Sequence, residues 1–183
     1  MRLVPVREGT GYGVSADALY LGAFPEYERI PVENLHRFAG TDLAEYYAIE
    51  DDGFRGLAYT VTHGDVFFLL YLAVSPSSRG KGYGSRTLDI IKGMAGGRKL
   101  FLNMEPVDLG AENLKQREAR REFYLRNGFR EEREYVTSEG ISYTVMTWGE
   151  PISEEENRAF IRYLVEVGMF PEEGRRDGPV PED

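Results

Sequence analysis

The stretch YLAVSPSSRGKGYGSRTLDII, running from Tyr71 to Ile91, decides how this chain is read. It opens as an apolar run, passes through a glycine-rich loop and ends in a helical pattern. The loop sets Gly80, Gly82 and Gly84 around Lys81 and Tyr83, behind Arg79. Glycine accepts left-handed backbone angles and lets the main chain come close to a ligand. The first N–H groups of a helix have no partner within it and carry partial positive charge. A loop of this kind that runs into a helix is an anion site, most often for phosphate. The alternative is a tight strand-to-helix turn that binds nothing.

The rest of the chain bounds what such a site can serve. At 183 residues and 42% hydrophobic content, one domain with its own core is expected. Cysteine is absent, which excludes disulfides, thiolate metal sites and cysteine nucleophiles, and no metal site is expected. The longest apolar run, residues 66–74, falls far short of the roughly 20 residues that span a bilayer. No signal peptide is visible, so a soluble, cytoplasmic protein without membrane contact is expected. The net charge of −9 argues against general nucleic-acid binding. That charge is uneven. Residues 79–130 hold 12 Lys+Arg against 6 Asp+Glu, and the remainder holds 10 against 25. A basic third thus begins at the glycine loop, as a bound polyanion or a cluster of solvated helix charges would explain. The acidic remainder hints at a cationic acceptor such as a polyamine, an aminoglycoside or a basic peptide amine.

Hydrophobic periodicity and turn residues predict the elements. A strand starts at residues 2–7, and helices follow over 15–24 and 32–38. Between them, Phe24-Pro-Glu26-Tyr-Glu28-Arg-Ile-Pro31 is an acidic, aromatic loop bracketed by prolines. Strands are expected over 45–50, 54–62 and 66–74. The last is apolar on successive residues, as a strand buried on both faces would be. A helix over 85–95, a strand over 100–104, a charged helix over 111–126 and strands over 130–137 and 141–148 follow. A hairpin turn is expected at Ser138-Glu139-Gly140. Ser153 and Glu156 make a capping box for a helix over 153–167, with Ala159, Phe160, Tyr163, Leu164 and Val167 as its stripe. The predicted fold class is α+β, a single mixed, mostly antiparallel sheet with helices on both faces. Residues 1–150 form the domain, the helix within 151–170 packs on it, and 171–183 are expected to be a disordered tail.

Two familiar phosphate loops do not fit. A P-loop needs G-x-x-x-x-G-K-[ST], but Lys81 is followed by Gly82. A dinucleotide fingerprint needs G-x-G-x-x-G, and the spacing here is Gly80-x-Gly82-x-Gly84. What remains is Arg79-x-x-Gly82-x-Gly84 after a strand ending Val74-Ser-Pro. This resembles the acyl-CoA site of the GNAT superfamily of N-acetyltransferases, whose pattern is Q/R-x-x-G-x-G/A. A second block, Phe123-Tyr124-Leu125-Arg126-Asn127-Gly128-Phe129, resembles a later segment of the same family. The element order through Trp148 resembles it as well, over about four fifths of the chain.

The resemblance implies the acyl-CoA N-acyltransferase fold, with the strands at 66–74 and 100–104 splayed apart. It implies acetyl-CoA as co-substrate, with no metal. Residues Arg79, Gly80, Lys81, Gly82, Tyr83, Gly84 and Ser85 would hold its pyrophosphate. Leu72, Ala73 and Val74 would pair their backbone with the pantetheine arm. Asn113 enters the same set, although it stands four residues before the family's usual asparagine, a place that Arg117 fills. The loop with Phe24, Glu26 and Glu28 resembles an acceptor segment of a bacterial-type branch.

Acetyl transfer to an amine needs a lost proton, donors for an oxyanion and a proton for the departing thiolate. Tyr124 is the candidate acid. Glu105, beside the splay, is the favoured base, with Glu26 and Glu28 as rivals, and positioning alone without a base is also open. The leading function is an acetyl-CoA-dependent N-acetyltransferase acting on a small-molecule or peptide amine, with a homodimer left open. A non-catalytic acyl-CoA binder and an interaction module without CoA affinity are the alternatives.

Overall fold

A computed structural model of the chain describes residues 1–136 and 140–171. Its strands are β1 Arg2–Pro5, β2 Ala44–Glu50, β3 Phe54–His63, β4 Val66–Val74, β5 Lys99–Met104, β6 Arg130–Val136 and β7 Ser142–Trp148. They form one sheet in the order β1-β2-β3-β4-β5-β7-β6. Only β4 and β5 run parallel, and the other neighbours are antiparallel. The helices are α1 Gly11–Ala23, α2 Val32–Phe38, α3 Tyr83–Ala95, α4 Leu114–Arg126 and α5 Glu154–Glu166. Ala16 and Tyr20 of α1, Leu35 of α2, and Phe160 and Leu164 of α5 share one core. Leu88 and Ile91 of α3 and Tyr124 of α4 belong to the other. Helices therefore cover both faces of a mixed sheet, the α+β arrangement expected.

Strand β4 explains both its own apolar run and the site beside it. Phe67 and Leu69 join one core, whereas Phe68 and Tyr71 join the other. The change of parity is a bulge: Tyr71 faces Tyr59 and Leu69 faces Thr60, so Leu70 is the extra residue. A bulge bends its strand and re-aims the side chains beyond it. The ladder between β4 and β5 holds only Val66–Lys99, Phe67–Leu100 and Phe68–Phe101. Beyond it the two strands part, while β5 stays paired to β7 as far as Met104. The splay expected between them is present.

Some boundaries differ from the sequence expectation for local reasons. Helix α1 starts at Gly11, because Thr10 Oγ1 accepts a hydrogen bond from Gly13 N at 3.1 Å and caps it. Glycine at 13 is required by packing, since a Cβ there would stand 2.6 Å from the Arg7 carbonyl oxygen. Helix α3 begins two residues before the expected start, at Tyr83, and α4 begins at Leu114. The capping box of α5 is formed, with Ser153 N donating to Glu156 Oε2 at 2.8 Å. Its buried stripe is Asn157, Phe160 and Leu164, and Ala159 is exposed. Phe160 sets its edge against Phe68 and Phe101, which stack on each other at 4.4 Å. The two histidines are structural. His36 Nε2 bonds Asp17, and His63 stacks on Tyr163 at 3.7 Å. The expected turn at Ser138-Glu139 and the tail from residue 172 lie outside the described residues. Among the described residues no helix is long and apolar enough to cross a membrane.

Candidate active site

The glycine loop uses its residues in different ways. After Val74 the chain makes one 3-10 turn at Pro76–Ser78, then extends through Arg79. Gly80 and Gly82 take left-handed angles, φ +74° and +77°. A side chain at either position is strained. Gly82 is also the N-cap of α3 and offers no side chain to its first turn. The leading N–H groups of α3 therefore stay available to an anion. Gly84 serves packing, since a Cβ there would meet Phe123 Cζ of α4 at 3.0 Å. Tyr83 is pinned sideways, its hydroxyl donating to Asp51 Oδ2 at 3.1 Å under the Arg86 guanidinium, 4.5 Å from the ring. Lys81 folds back on the loop, its Nζ donating to Ser77 O.

A cavity of about 960 Å³ joins this loop to the opposite face of the sheet through the splay. At one end it is lined by Arg79, Gly80, Gly82, Tyr83, Gly84 and Ser85. Its middle is walled by Leu72, Ala73 and Val74 of β4, by Met104 and Glu105 at the end of β5, and by Phe123 and Tyr124 of α4. At the other end are Phe24, Tyr27, Glu28 and Ile30, with Tyr143 of β7 and Ile161, Val165 and Phe170 of the C-terminal segment. The structure thus brings together Tyr124, Glu105, Phe24, Glu28 and nearly all of the proposed CoA residues. Glu26 is exposed, and it, Lys81 and Asn113 do not line the cavity.

The loop over 24–31 is fastened to β4 by Tyr71 and to α1 by Tyr20. Tyr71 OH donates to Glu28 O at 2.8 Å and accepts from Ile30 N at 3.1 Å. Tyr20 OH donates to Ile30 O at 2.9 Å, and Tyr20, Phe24 and Tyr71 pack ring to ring at 4.8–5.6 Å. The sequence reading missed this linkage. Its one signal was a tyrosine inside an otherwise apolar strand, since a buried phenol needs a hydrogen-bond partner.

The two carboxyl groups at the centre differ sharply. Glu105 is buried and accepts from Arg117 Nη2 at 2.9 Å, Arg120 Nη1 at 3.2 Å, Tyr27 OH at 3.1 Å and Asn113 Nδ2 at 3.4 Å. Arg117 also donates to Asn113 Oδ1 and to Pro106 O. Both oxygens of Glu105 are thereby occupied, and Asn113 is bound into the same cluster, away from the cavity. Glu28 has the opposite surroundings. Its Oε1 is buried with no hydrogen-bond partner among the described residues. Burial, and then the neighbouring Glu105 charge, push its carboxyl up to about 7, with Arg120 and Arg117 pulling back. Tyr124 is also buried. Burial pushes its phenol up to about 12, against the pull of Arg120. It packs edge-on to Phe123 and Phe129. Among the described residues no cluster of His, Asp and Glu is arranged to hold a metal ion.

A splayed sheet, a bulged strand, an uncapped helix start and a cavity threading between them invite comparison with known proteins. Residues 42–131, which include the glycine loop, the splay and Tyr124, match the model of the acetyltransferase (GNAT) domain. No curated protein sequence matches the chain. Among solved structures, a GNAT-family protein from Bacteroides thetaiotaomicron superposes with a TM-score of 0.71 at 23% identity. That superposition covers 91% of this chain and 97% of the other. The ribosomal-protein-S18-alanine N-acetyltransferase of Escherichia coli gives a TM-score of 0.60 at 18% identity, over 84% and 96% of the two chains. An acetyltransferase of Bacillus subtilis in complex with CoA gives 0.55 at 15% identity, over 81% and 98%. These likenesses carry the fold, and the domain match carries the chemistry. The chain belongs to the GNAT superfamily of acetyltransferases and is an acyltransferase.

Proposed function

We propose that this protein transfers the acetyl group of acetyl-CoA directly to a primary amine, with Glu28 as base and Tyr124 as acid. The observation that carries the reading is the continuous cavity from the start of α3, through the splay, to an unpartnered buried carboxyl oxygen on Glu28. The site fits acetyl-CoA on its own terms. The first N–H groups of α3, with Arg79 and Arg126 lining the same end, supply donors and positive charge for a pyrophosphate. Beyond Phe68 the gap-side edge of β4 has no strand partner among the described residues, so Leu72, Ala73 and Val74 can take an extended arm as an added strand.

Each proton has a place in this chemistry. A primary ammonium carries three. One passes to Glu28 and is released to solvent, one ends on the departing sulfur with Tyr124 as donor, and one stays on the product amide. The new C–N bond forms as the thioester C–S bond breaks. Glu28 suits the first step because a carboxyl near 7 is about half ionised, and basic enough, at neutral pH. Tyr124 remains protonated there, which is the state needed to donate. Glu105 belongs to the framework. Its oxygens already face four donors, and it holds Arg120 beside Tyr124 and Tyr27 beside Glu28. The base favoured from sequence thus becomes, on this reading, a positioning residue.

Acetyl-CoA at about one hundred times its dissociation constant is expected to raise the melting temperature by several degrees, as mass action requires. In Gly82→Trp that shift should vanish, because the bulk closes the loop at a left-handed position. A full shift in the variant would move the anion site elsewhere. Tyr124→Phe removes one oxygen from a close-packed site. Thiol release should slow about a hundredfold in kcat, with little change in KM for acetyl-CoA. Unchanged kcat would remove Tyr124 from the chemistry.

A further inference from the structure

We propose that the acceptor is a monoamine with an apolar alkyl or arylalkyl body, and that α5 and the residues after it form the wall that selects it. The inference rests on the transferase reading and narrows its acceptor. The overall charge of −9 points toward polycations, but the cavity does not. Among the described residues two carboxylates line it, Glu28 and Glu105, together with Arg29, Arg79, Arg120 and Arg126. Glu105 is already matched by two guanidiniums, a phenol and an amide. One carboxylate, Glu28, is left to pair with an ammonium, and it can pair with one. A polyamine or an aminoglycoside would bring further ammonium groups beside Arg29, with no carboxylate left among the described lining residues to pair them. Like charges at close range cost most where water is excluded.

Beyond Glu28 the walls are apolar. Ile161 and Val165 stand one turn apart on α5 and line the cavity, next to the buried Phe160 and Leu164, whose core Ile161 also packs against. Phe170 continues that wall after the helix ends, and Phe24 and Tyr143 stand in the other sides. Burial of a carbon chain against such walls is favourable in proportion to its area. Their position beside Glu28 sets an order for the acceptor: nitrogen at Glu28, apolar body toward α5. The amine nitrogen forms the bond to the acetyl carbon as CoA leaves as the thiol, and Glu28 accepts the proton.

The test uses the full chain with acetyl-CoA, thiol release and four families of amine: n-alkylamines from propyl to hexyl, 2-phenylethylamine, spermidine and kanamycin. The expected result is a rise in kcat/KM of about three- to fourfold per methylene. Hexylamine and 2-phenylethylamine should exceed spermidine and kanamycin at least a hundredfold. Val165→Asp should cut kcat/KM for hexylamine at least tenfold, and Ile161→Ala should flatten the methylene series. The acetyl-CoA melting shift serves as control for folding in both. A flat series, a preference for spermidine or kanamycin, or binding of acetyl-CoA with turnover of none of these amines would overturn the acceptor class. Absence of any acetyl-CoA shift in the wild type would instead remove the transferase reading beneath it.

Discussion

Glu28→Gln is expected to abolish most turnover and, at the same pH, to make the protein more stable. A general base contributes about 10²–10⁴-fold, so kcat/KM should fall in that range, and the limb of the pH profile near 7 should disappear. The stability change comes from linkage. The folded-state carboxyl sits at about 7 against an ordinary value of 4.5. Between those values the folded state binds more protons than the unfolded state, so stability falls as pH rises through that window. Above it the penalty is complete, about 1–3 kcal/mol once partial solvent access is allowed for. Glutamine has no charge to lose, so the variant should gain that amount at pH 8 and nothing near pH 4. Urea melts at both pH values measure the difference. A variant that loses activity without the pH-dependent gain would show that Glu28 is not a strained buried carboxyl.

Glu105→Ala should do the reverse to stability. The substitution leaves Arg117 and Arg120 facing each other beside the cavity and strands the Tyr27 hydroxyl. Removing one partner of a buried charge network costs about 3–5 kcal/mol. Arg120 is 39% exposed, so the lower end is expected. For a chain of this size that is a fall in melting temperature of roughly 6–12 °C. Glu105→Gln, which keeps the shape and one acceptor, should lose less stability and retain the pH limb near 7. If Glu105→Gln instead removes that limb and leaves the melting point alone, the base is Glu105 and Glu28 is its neighbour. The paired variants therefore separate two carboxylates that line one cavity.

The contrast between these two residues shows where sequence reasoning reached its limit. Both are glutamates next to apolar residues, and Glu105 had the better address, at the end of a splayed strand. Its partners come from elsewhere: Tyr27 is 78 positions away, and Arg117 and Arg120 lie on the next helix. No local pattern announces that four donors will converge on one carboxylate while the other keeps a buried oxygen with no partner among the described residues. Asn113 stands off the cavity lining for a similar reason, bonded as it is to Arg117 and Glu105. Helix α5 was legible as a helix from its capping box, but not as a cavity wall. Ile161 and Val165 are one turn apart in any helix, and only the docking of Phe160 on Phe68 and Phe101 sets that pair in the cavity wall.

What the amino-acid order determined by itself is local: the buried strand, the left-handed glycines and the uncapped start of α3 that succeed one another from Tyr71 to Ile91. Turn chemistry and helix-end electrostatics act between near neighbours, so this strand, its glycine loop and the helix after it could be read from a single stretch. The tertiary structure decided which carboxylate lacks a hydrogen-bond partner among the described residues, which side chains wall the cavity and how a loop near the N-terminus is bound to β4. Those depend on desolvation and on pairing across long sequence separations, which exist only once the sheet and its two helical layers have closed.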